Sequence, residues 1–242
     1  MTHRNAFDQA VGAPMPDWQG ATPVTPLTLQ GRYTRLEPLE PARHADDLVA
    51  AFASAPDGRD WTYMLAGPFE QEAALRDYLR QISQSRDTWH FAVFDMARER
   101  FIGTLALMRC DAANGVIEVG HVSFSPLLKR SRMATEAVHL LAAHVFERLG
   151  YRRFEWKCDA FNAPSRSAAL RFGFSYEGTF RQVLVYKGRT RDTAWFSMLD
   201  SEWPQRAAAQ RRWLAPENFD ADGQQRARLT DLPHAVGSSE PV

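Results

Sequence analysis

The chain is 242 residues long and 45% hydrophobic, enough to bury one substantial core, and carries 29 basic and 29 acidic residues. Zero net charge excludes the broad basic field that drives non-specific nucleic-acid binding. The N-terminus has no apolar leader core, and no stretch reaches the roughly 18–20 apolar residues that a membrane span needs, so a soluble cytoplasmic protein is expected, with no nucleic-acid or membrane partner.

Residues 1–26 contain Pro14, Pro16, Pro23 and Pro26 with little periodicity and read as an extended N-terminal arm. Gly31 to Pro38 reads as a strand, followed by helical patterns at about 41–54 and 70–84 and strands at about 89–95, 101–109 and 116–124. Asp111 to Gly115 supplies a turn. A helix over about 134–149 places Ala137, Leu141, Val145 and Leu149 on one face and stops at Gly150. Arg153 to Asp159 is the next strand; Ala163 to Phe172 is a helix capped by Asn162 and closed by Gly173; two late strands flank a Lys187-Gly188 turn. Arg206 to Leu214 suits a short helix, and the rest of 204–242 lacks a core pattern and is expected to be a flexible tail. The order β-α-α-β-β-β-α-β-α-β-β predicts a mixed α/β, or α+β, sandwich over 27–203.

Two cysteines, Cys110 and Cys158, are too few for a disulfide framework and are expected as buried free thiols. His139 and His144 do not share a helix face, and no histidine spacing matches a zinc motif, so no metal is expected.

The run Ser123 to Ala137, SFSPLLKRSRMATEA, reads as a strand end, a basic loop and a helix start. Pro126 ends the ladder; Lys129, Arg130 and Arg132 follow, with Glu136 expected in the first helical turn. Free N–H groups at such a helix start, with the helix dipole behind them, favour an anion, and phosphate is the obvious candidate.

Aligned on Thr135-Glu136-Ala137, Lys129-Arg130-Ser131-Arg132-Met133-Ala134 resembles the (Gln/Arg)-x-x-Gly-x-(Gly/Ala) loop that holds the coenzyme A pyrophosphate in the GNAT superfamily of N-acetyltransferases. Asn162-Ala-Pro-Ser165 followed by Arg171-Phe-Gly173-Phe174 resembles that family's N-x-x-S…(K/R)-x-G-F helix. Glu177-Gly178 and Lys187-Gly188-Arg189…Arg191-Asp192 are similar to the RimJ/RimL-like branch, and the resemblance runs from about Leu27 to Trp203. It implies a central, mostly antiparallel sheet flanked by helices and splayed between its fourth and fifth strands to admit the pantetheine arm. It also implies acetyl-CoA as cosubstrate and direct transfer of the acetyl group to a primary amine of a small molecule or a protein N-terminus. Monomer and homodimer both stay open.

Acetyl transfer from a thioester to an amine needs a cofactor seat, a neutral amine, an oxyanion donor and a proton for the thiolate. The resemblance places the seat at Lys129, Arg130, Ser131, Arg132, Met133, Ala134 and Thr135, with Asn162 and Ser165 contributing from the next helix. Arg132 stands where the family has its glycine, so a looser site is expected, in which the guanidinium groups of Arg130 and Arg132, helped by Arg166, pair with phosphate oxygens. Glu118 lies eleven residues before Lys129, the interval that separates catalytic glutamate from loop in histone-acetyltransferase members, and is expected either as the base or as a solvent-facing carboxylate. On an ideal strand it shares a face with Gly120, Val122 and Phe124, while His121 points to the opposite face as a packed or substrate-facing residue. A bulge would re-aim it.

Backbone N–H groups at Val122, Ser123 and Phe124 match the family's oxyanion donors. The family's usual tyrosine acid is replaced by Ala169, and a RimL-like partner glutamate by Leu184. Ser165 is then the best proton donor to the thiolate, with Tyr186 either a second acid or a strand aromatic. Trp61 and Tyr63 either clamp a planar or apolar acceptor or simply bury large area. The missing acids leave a non-catalytic acyl-CoA-binding regulatory protein as the main competitor. A Cys158 nucleophile lacks any local signature.

Overall fold

A computed structural model describes residues 3–232. In chain order, β1 (His3–Arg4) and β2 (Ala10–Val11) form a small hairpin, and β3 (Leu29–Gln30) and β4 (Thr34–Pro38) open the main sheet. Next come α1 (Pro41–Ala53), α2 (Glu72–Ser83), β5 (Trp89–Asp95), β6 (Arg100–Asp111), β7 (Val116–Phe124) and α3 (Arg132–Ala143). Then β8 (Arg153–Asp159), α4 (Ala163–Phe172), β9 (Ser175–Tyr186), β10 (Arg189–Leu199) and α5 (Trp203–Leu214) complete the set. The helix expected to 149 turns π-helical at His144–Arg148 before Gly150, whose positive φ of 71° reverses the chain.

The eight-stranded sheet runs β3-β4-β5-β6-β7-β8-β10-β9. Every neighbouring pair is antiparallel except β7 and β8, which pair in parallel only from Val116–Arg153 to Val119–Trp156. Beyond that point β7 continues to Phe124 and β8 to Asp159 without bonding to each other, which opens the splay expected between the fourth and fifth strands counted from β4.

Alternation along the strands divides the core. Leu105, Leu107, Ile117 and Val119 pack with Leu141 of α3 and Val145 of the π-helical turn that follows it, while Ala92 and Phe101 face Leu48 of α1 and Leu75 and Leu79 of α2. At about 25 cal/mol per Å² of buried apolar area, these two layers supply the driving force that holds the splayed strands in place.

Two expectations are corrected. Glu136 lies in the second turn of α3 because the helix begins at Arg132; its buried carboxylate accepts the backbone N–H groups of Arg32, Tyr33 and Thr34 at 2.8, 2.6 and 2.7 Å. A Cβ on Gly31 would come within 2.5 Å of that carboxyl group, so the turn between β3 and β4 closes only with glycine there. The stretch after α5 is not featureless: Phe219, Leu229 and Leu232 pack with Trp213 and Leu214 into a small core, which the 3.6 and 2.0 periodicities miss because short 3₁₀ turns carry it. The rest of the expected tail lies outside the described residues. The N-terminal arm is extended after its hairpin, yet it is tied down: Trp18 Nε1 donates to the Ala113 carbonyl at 2.7 Å, and Val24 is buried in the main core.

Candidate active site

The loop that precedes α3 is organised by its own backbone. Leu128 and Lys129 both donate N–H groups to the Ser125 carbonyl at 3.0 Å, Arg130 takes a positive φ of 57°, and Ser131 caps α3 by accepting the Ala134 N–H at 3.1 Å. Arg132 and Met133 begin the helix, so their N–H groups have no carbonyl one turn back and point out of the helix start. Peptide groups so placed, with the dipole of α3 behind them, can seat an anion.

Two arginine side chains near the loop lie on aromatic rings. The Arg132 guanidinium lies 4.3 Å from the centre of the Tyr33 ring and 5.2 Å from that of Phe219, stacked toward the C-terminal segment. Arg166 lies over Tyr176 at 5.1 Å. Lys129 pairs with Asp60. The guanidinium groups of Arg132 and Arg166 thus lie against aromatic faces, and the groups left free at the start of α3 are backbone N–H groups. Arg130 occupies the left-handed region, where glycine is most at ease.

On β7 the alternation breaks. Thr104 and Ala106 of β6 are opposite Ser123 and Gly120, so three steps on β7 match two on β6, and His121 has a φ of 47°. This is a bulge. It changes the face assignment: Glu118 and Gly120 share a face with Ser123, whereas Val122 and Phe124 turn to pack against the α3 core, contrary to the ideal-strand reading. The His121 ring meets that of His90 at 4.9 Å, nearly edge to face, above the small residues Ala106 and Gly120. His90 was missed by sequence reasoning; the signal available was the pair of small residues opposite it on β6 and β7. Burial lowers both imidazoles, His90 to about 4 with His121 adding to the effect, so both are neutral at pH 7. His90 Nδ1 is buried without a hydrogen-bond partner.

Further along the splay, the Ser125 N–H bonds back to the Ile102 carbonyl on β6. By strand alternation the Phe124 N–H then faces the gap between β7 and β8.

Glu118 is buried, not solvent-facing. Its Oε2 lies 2.9 Å from Lys157 Nζ and 3.3 Å from Arg109 Nε, and Lys157 also reaches Glu155 at 2.7 Å. Arg153 continues the network to Glu155 at 2.6 Å and Glu177. The Lys157 ammonium also sits 3.8 Å from the Trp195 ring centre. Burial pushes the Glu118 carboxyl up from the usual range, opposed mainly by Lys157. Lys157 is the second residue that sequence reasoning missed, although its alternation with Glu155 places both on one strand face.

The end of β8 and the start of α4 bring Ser165 to the inner side of the splay. Asn162 caps α4 by accepting the Ser165 N–H at 3.1 Å, and Ser165 Oγ accepts Trp156 Nε1–H at 3.0 Å beside the Cys158 thiol. The Tyr186 hydroxyl donates to Asp159 at 2.8 Å and is pushed up to about 12, first by burial and then by that carboxylate. Cys158 is buried and Cys110 half-buried, both as free thiols.

Trp61 packs as core, one of its two expected readings. Its ring is enclosed edge-on by Phe52, Phe69 and Tyr78 at 5.5, 4.9 and 6.2 Å, and its carbonyl accepts Lys187 Nζ from the β9–β10 turn at 2.6 Å. Tyr63 stays half-buried two residues further on. Among the described residues, no group of three His, Cys, Asp or Glu side chains is placed to hold a metal, and no helix is long and apolar enough to cross a membrane.

The model of the acetyltransferase (GNAT) domain family matches residues 34–175. A solved structure described as a GCN5-related N-acetyltransferase from Brucella melitensis superposes with a TM-score of 0.87 at 47% identity, covering 90% of this chain and 99% of that one. The "Uncharacterized N-acetyltransferase p20" of Bacillus licheniformis is 30% identical over 164 residues, 65% of this chain and 88% of its own length. The "Putative ribosomal N-acetyltransferase YdaF" of Bacillus subtilis is 26% identical over 152 residues, 63% of this chain and 76% of its own.

Proposed function

Because the chain belongs to the GNAT acetyltransferase family and is thus an acyltransferase, we propose that it transfers an acetyl group from acetyl-CoA directly to a primary amine. The observation that carries this reading is the joint placement of the peptide-built anion seat at 129–135 and the splay between β7 and β8, which leads from that seat to the bulge. The first-turn N–H groups of Arg132 and Met133, beside Ser131, hold the pyrophosphate; Lys129, Arg130, Ala134 and Thr135 shape the loop. The Phe124 N–H, flanked by Val122 and Ser123, faces the carbonyl oxygen in the splay and stabilises the negative charge that develops there. Asn162 fixes the start of α4 and so the position of Ser165.

The amine attacks the thioester carbon, the C–S bond breaks, and one proton must leave nitrogen while another reaches sulfur. Glu118 takes the first: burial raises its basicity, and when the proton arrives Lys157 keeps its partner Glu155. Ser165 supplies the second and recovers it from solvent. A second route for the first proton is favoured by the bulge, which brings neutral His121 and His90 onto the same face as Glu118. His121 and Tyr63 line the acceptor side in either route. Similarity to a relative whose name includes ribosomal N-acetylation supports a protein N-terminus as acceptor, and an α-amine near pKa 8 needs only about 1–1.5 kcal/mol for neutralisation at pH 7, against about 4–5 for a lysine. The test is CoA-thiol release from acetyl-CoA with peptide N-termini, amino acids, polyamines and aminoglycosides; release with at least one amine is expected. Tight binding of acetyl-CoA without release against any amine would instead favour a non-catalytic acyl-CoA-binding regulator.

A further inference from the structure

The first two turns of α3 are held from behind by chain that lies mostly outside the family-matched residues 34–175, with Arg171 the link from within them. Arg132, the first helical residue, is stacked on Tyr33 and Phe219, whose own rings meet at 6.2 Å. The Tyr33 hydroxyl donates to the Leu214 carbonyl at 3.0 Å, at the end of α5. One turn along, Thr135 accepts from Arg171 Nη1 at 2.9 Å, and that guanidinium lies 4.8 Å from the Trp213 ring centre. His139 shares a 2.8 Å hydrogen bond with Gln210, itself bonded to the Phe172 carbonyl. Three successive outward positions of α3 thus end on α5 and the small core behind it.

We propose that the segment 203–232 is a working part of the cofactor site, with Arg132 and Phe219 as positioning residues for the pyrophosphate loop. The inference rests on the acetyl-CoA reading above. An arginine at the family's glycine position would crowd the phosphate if its side chain lay over the helix start. Cation–π stacking on Tyr33 and Phe219 draws it to the rear, which clears the N–H groups of Arg132 and Met133 and fixes the direction in which they point. Phe219 therefore does for this loop what the absent glycine does elsewhere: it keeps the approach to the backbone open.

The experiment is a double-mutant cycle of Arg132→Met and Phe219→Leu, read as calorimetric affinity for CoA and for S-acetylpantetheine, which lacks the pyrophosphate. Each single variant is expected to weaken CoA by about threefold to tenfold, with the double variant no worse than either single and pantetheine affinity unchanged. Arg132→Lys, which keeps a cation over the rings, is expected to recover part of the loss. Amide exchange at 131–134 is expected to quicken in Phe219→Leu while exchange in β5 and β6 stays unchanged. Unchanged CoA affinity and unchanged loop exchange in folded Phe219→Leu would overturn the inference. So would additive losses, which mean that Arg132 contacts phosphate directly, and so would equal losses of CoA and pantetheine, which mean general disruption. Failure of the wild-type protein to bind CoA would overturn the acetyl-CoA reading itself and this inference with it.

Discussion

The loop at 129–135 and the face that carries Glu118 lie at the two ends of the same splay, yet they are built from different material. The loop presents backbone: a cap, a residue with positive φ and the unbonded N–H groups of a helix start. The opposite face presents side chains, the buried carboxylates Glu118 and Glu155 and the exposed Glu177 with their cations, and two imidazoles that meet edge to face beside them. Peptide groups lie where the fold puts them and tolerate changes in side chain so long as the side chain lies clear of them, as that of Arg132 does on Tyr33 and Phe219. A face made of side chains depends on each residue and on every partner that sets its protonation. The first region should therefore respond weakly to single substitutions, and the second strongly.

The strongest test of that contrast is Glu118→Gln. It is expected to lower kcat/KM by roughly 10²–10⁴, the reach of a general base, while leaving CoA affinity unchanged. Wild-type activity across pH 6–9 in this variant would move the proton to His121 and His90. His121→Asn then becomes the variant that loses activity.

Lys157→Met comes next. It removes the cation shared by Glu118 and Glu155, both buried, and leaves Glu118 only the 3.3 Å contact to exposed Arg109 and Glu155 only Arg153; a loss of about 3–5 kcal/mol is expected in denaturant unfolding at pH 7. Recovery of part of that stability at lower pH, as a carboxylate takes a proton, is the signature of this cause. A loss that is independent of pH would assign it to packing against Trp195 instead.

Smaller again is the acid response of His90. Its pKa falls from 6.5 to about 4 on folding, so the unfolded chain binds the extra proton between those values. The stability due to neutral burial is complete above about pH 6.5 and is lost as pH falls toward 4, on the order of 3 kcal/mol in all. His90→Gln should flatten the stability profile in that window. An unchanged slope in unfolding measurements from pH 4 to 7 would show that the imidazole is not buried neutral.

The same contrast explains what the sequence made legible. Strand and helix positions followed from periodicity and from Gly150, Gly173 and Pro126, and the loop proposed to seat the cofactor stood out by a local motif whose chemistry is in its backbone. The acceptor face was harder, because its geometry depends on one extra residue in β7. The bulge at His121 inverts the faces of Val122, Ser123 and Phe124, and nothing in the run Glu118-Val-Gly-His-Val-Ser-Phe announces it except the small residues around it. Arg132 was legible as a departure, but its partner Phe219 lies 87 residues away in a segment without periodic pattern, so its stacking could only be found in three dimensions. Trp61 was ambiguous for a related reason: an aromatic that clamps a ligand and one that fills a core look alike until their neighbours are known.

A calorimetric titration of the wild-type protein with acetyl-CoA bears most directly on the claim that a backbone-built seat and a splayed sheet together form the cofactor site. The account predicts saturable one-site binding, and stabilisation against unfolding of about 2.7 kcal/mol at one hundred times the dissociation constant. No heat of binding and no shift in unfolding at saturating acetyl-CoA would contradict it.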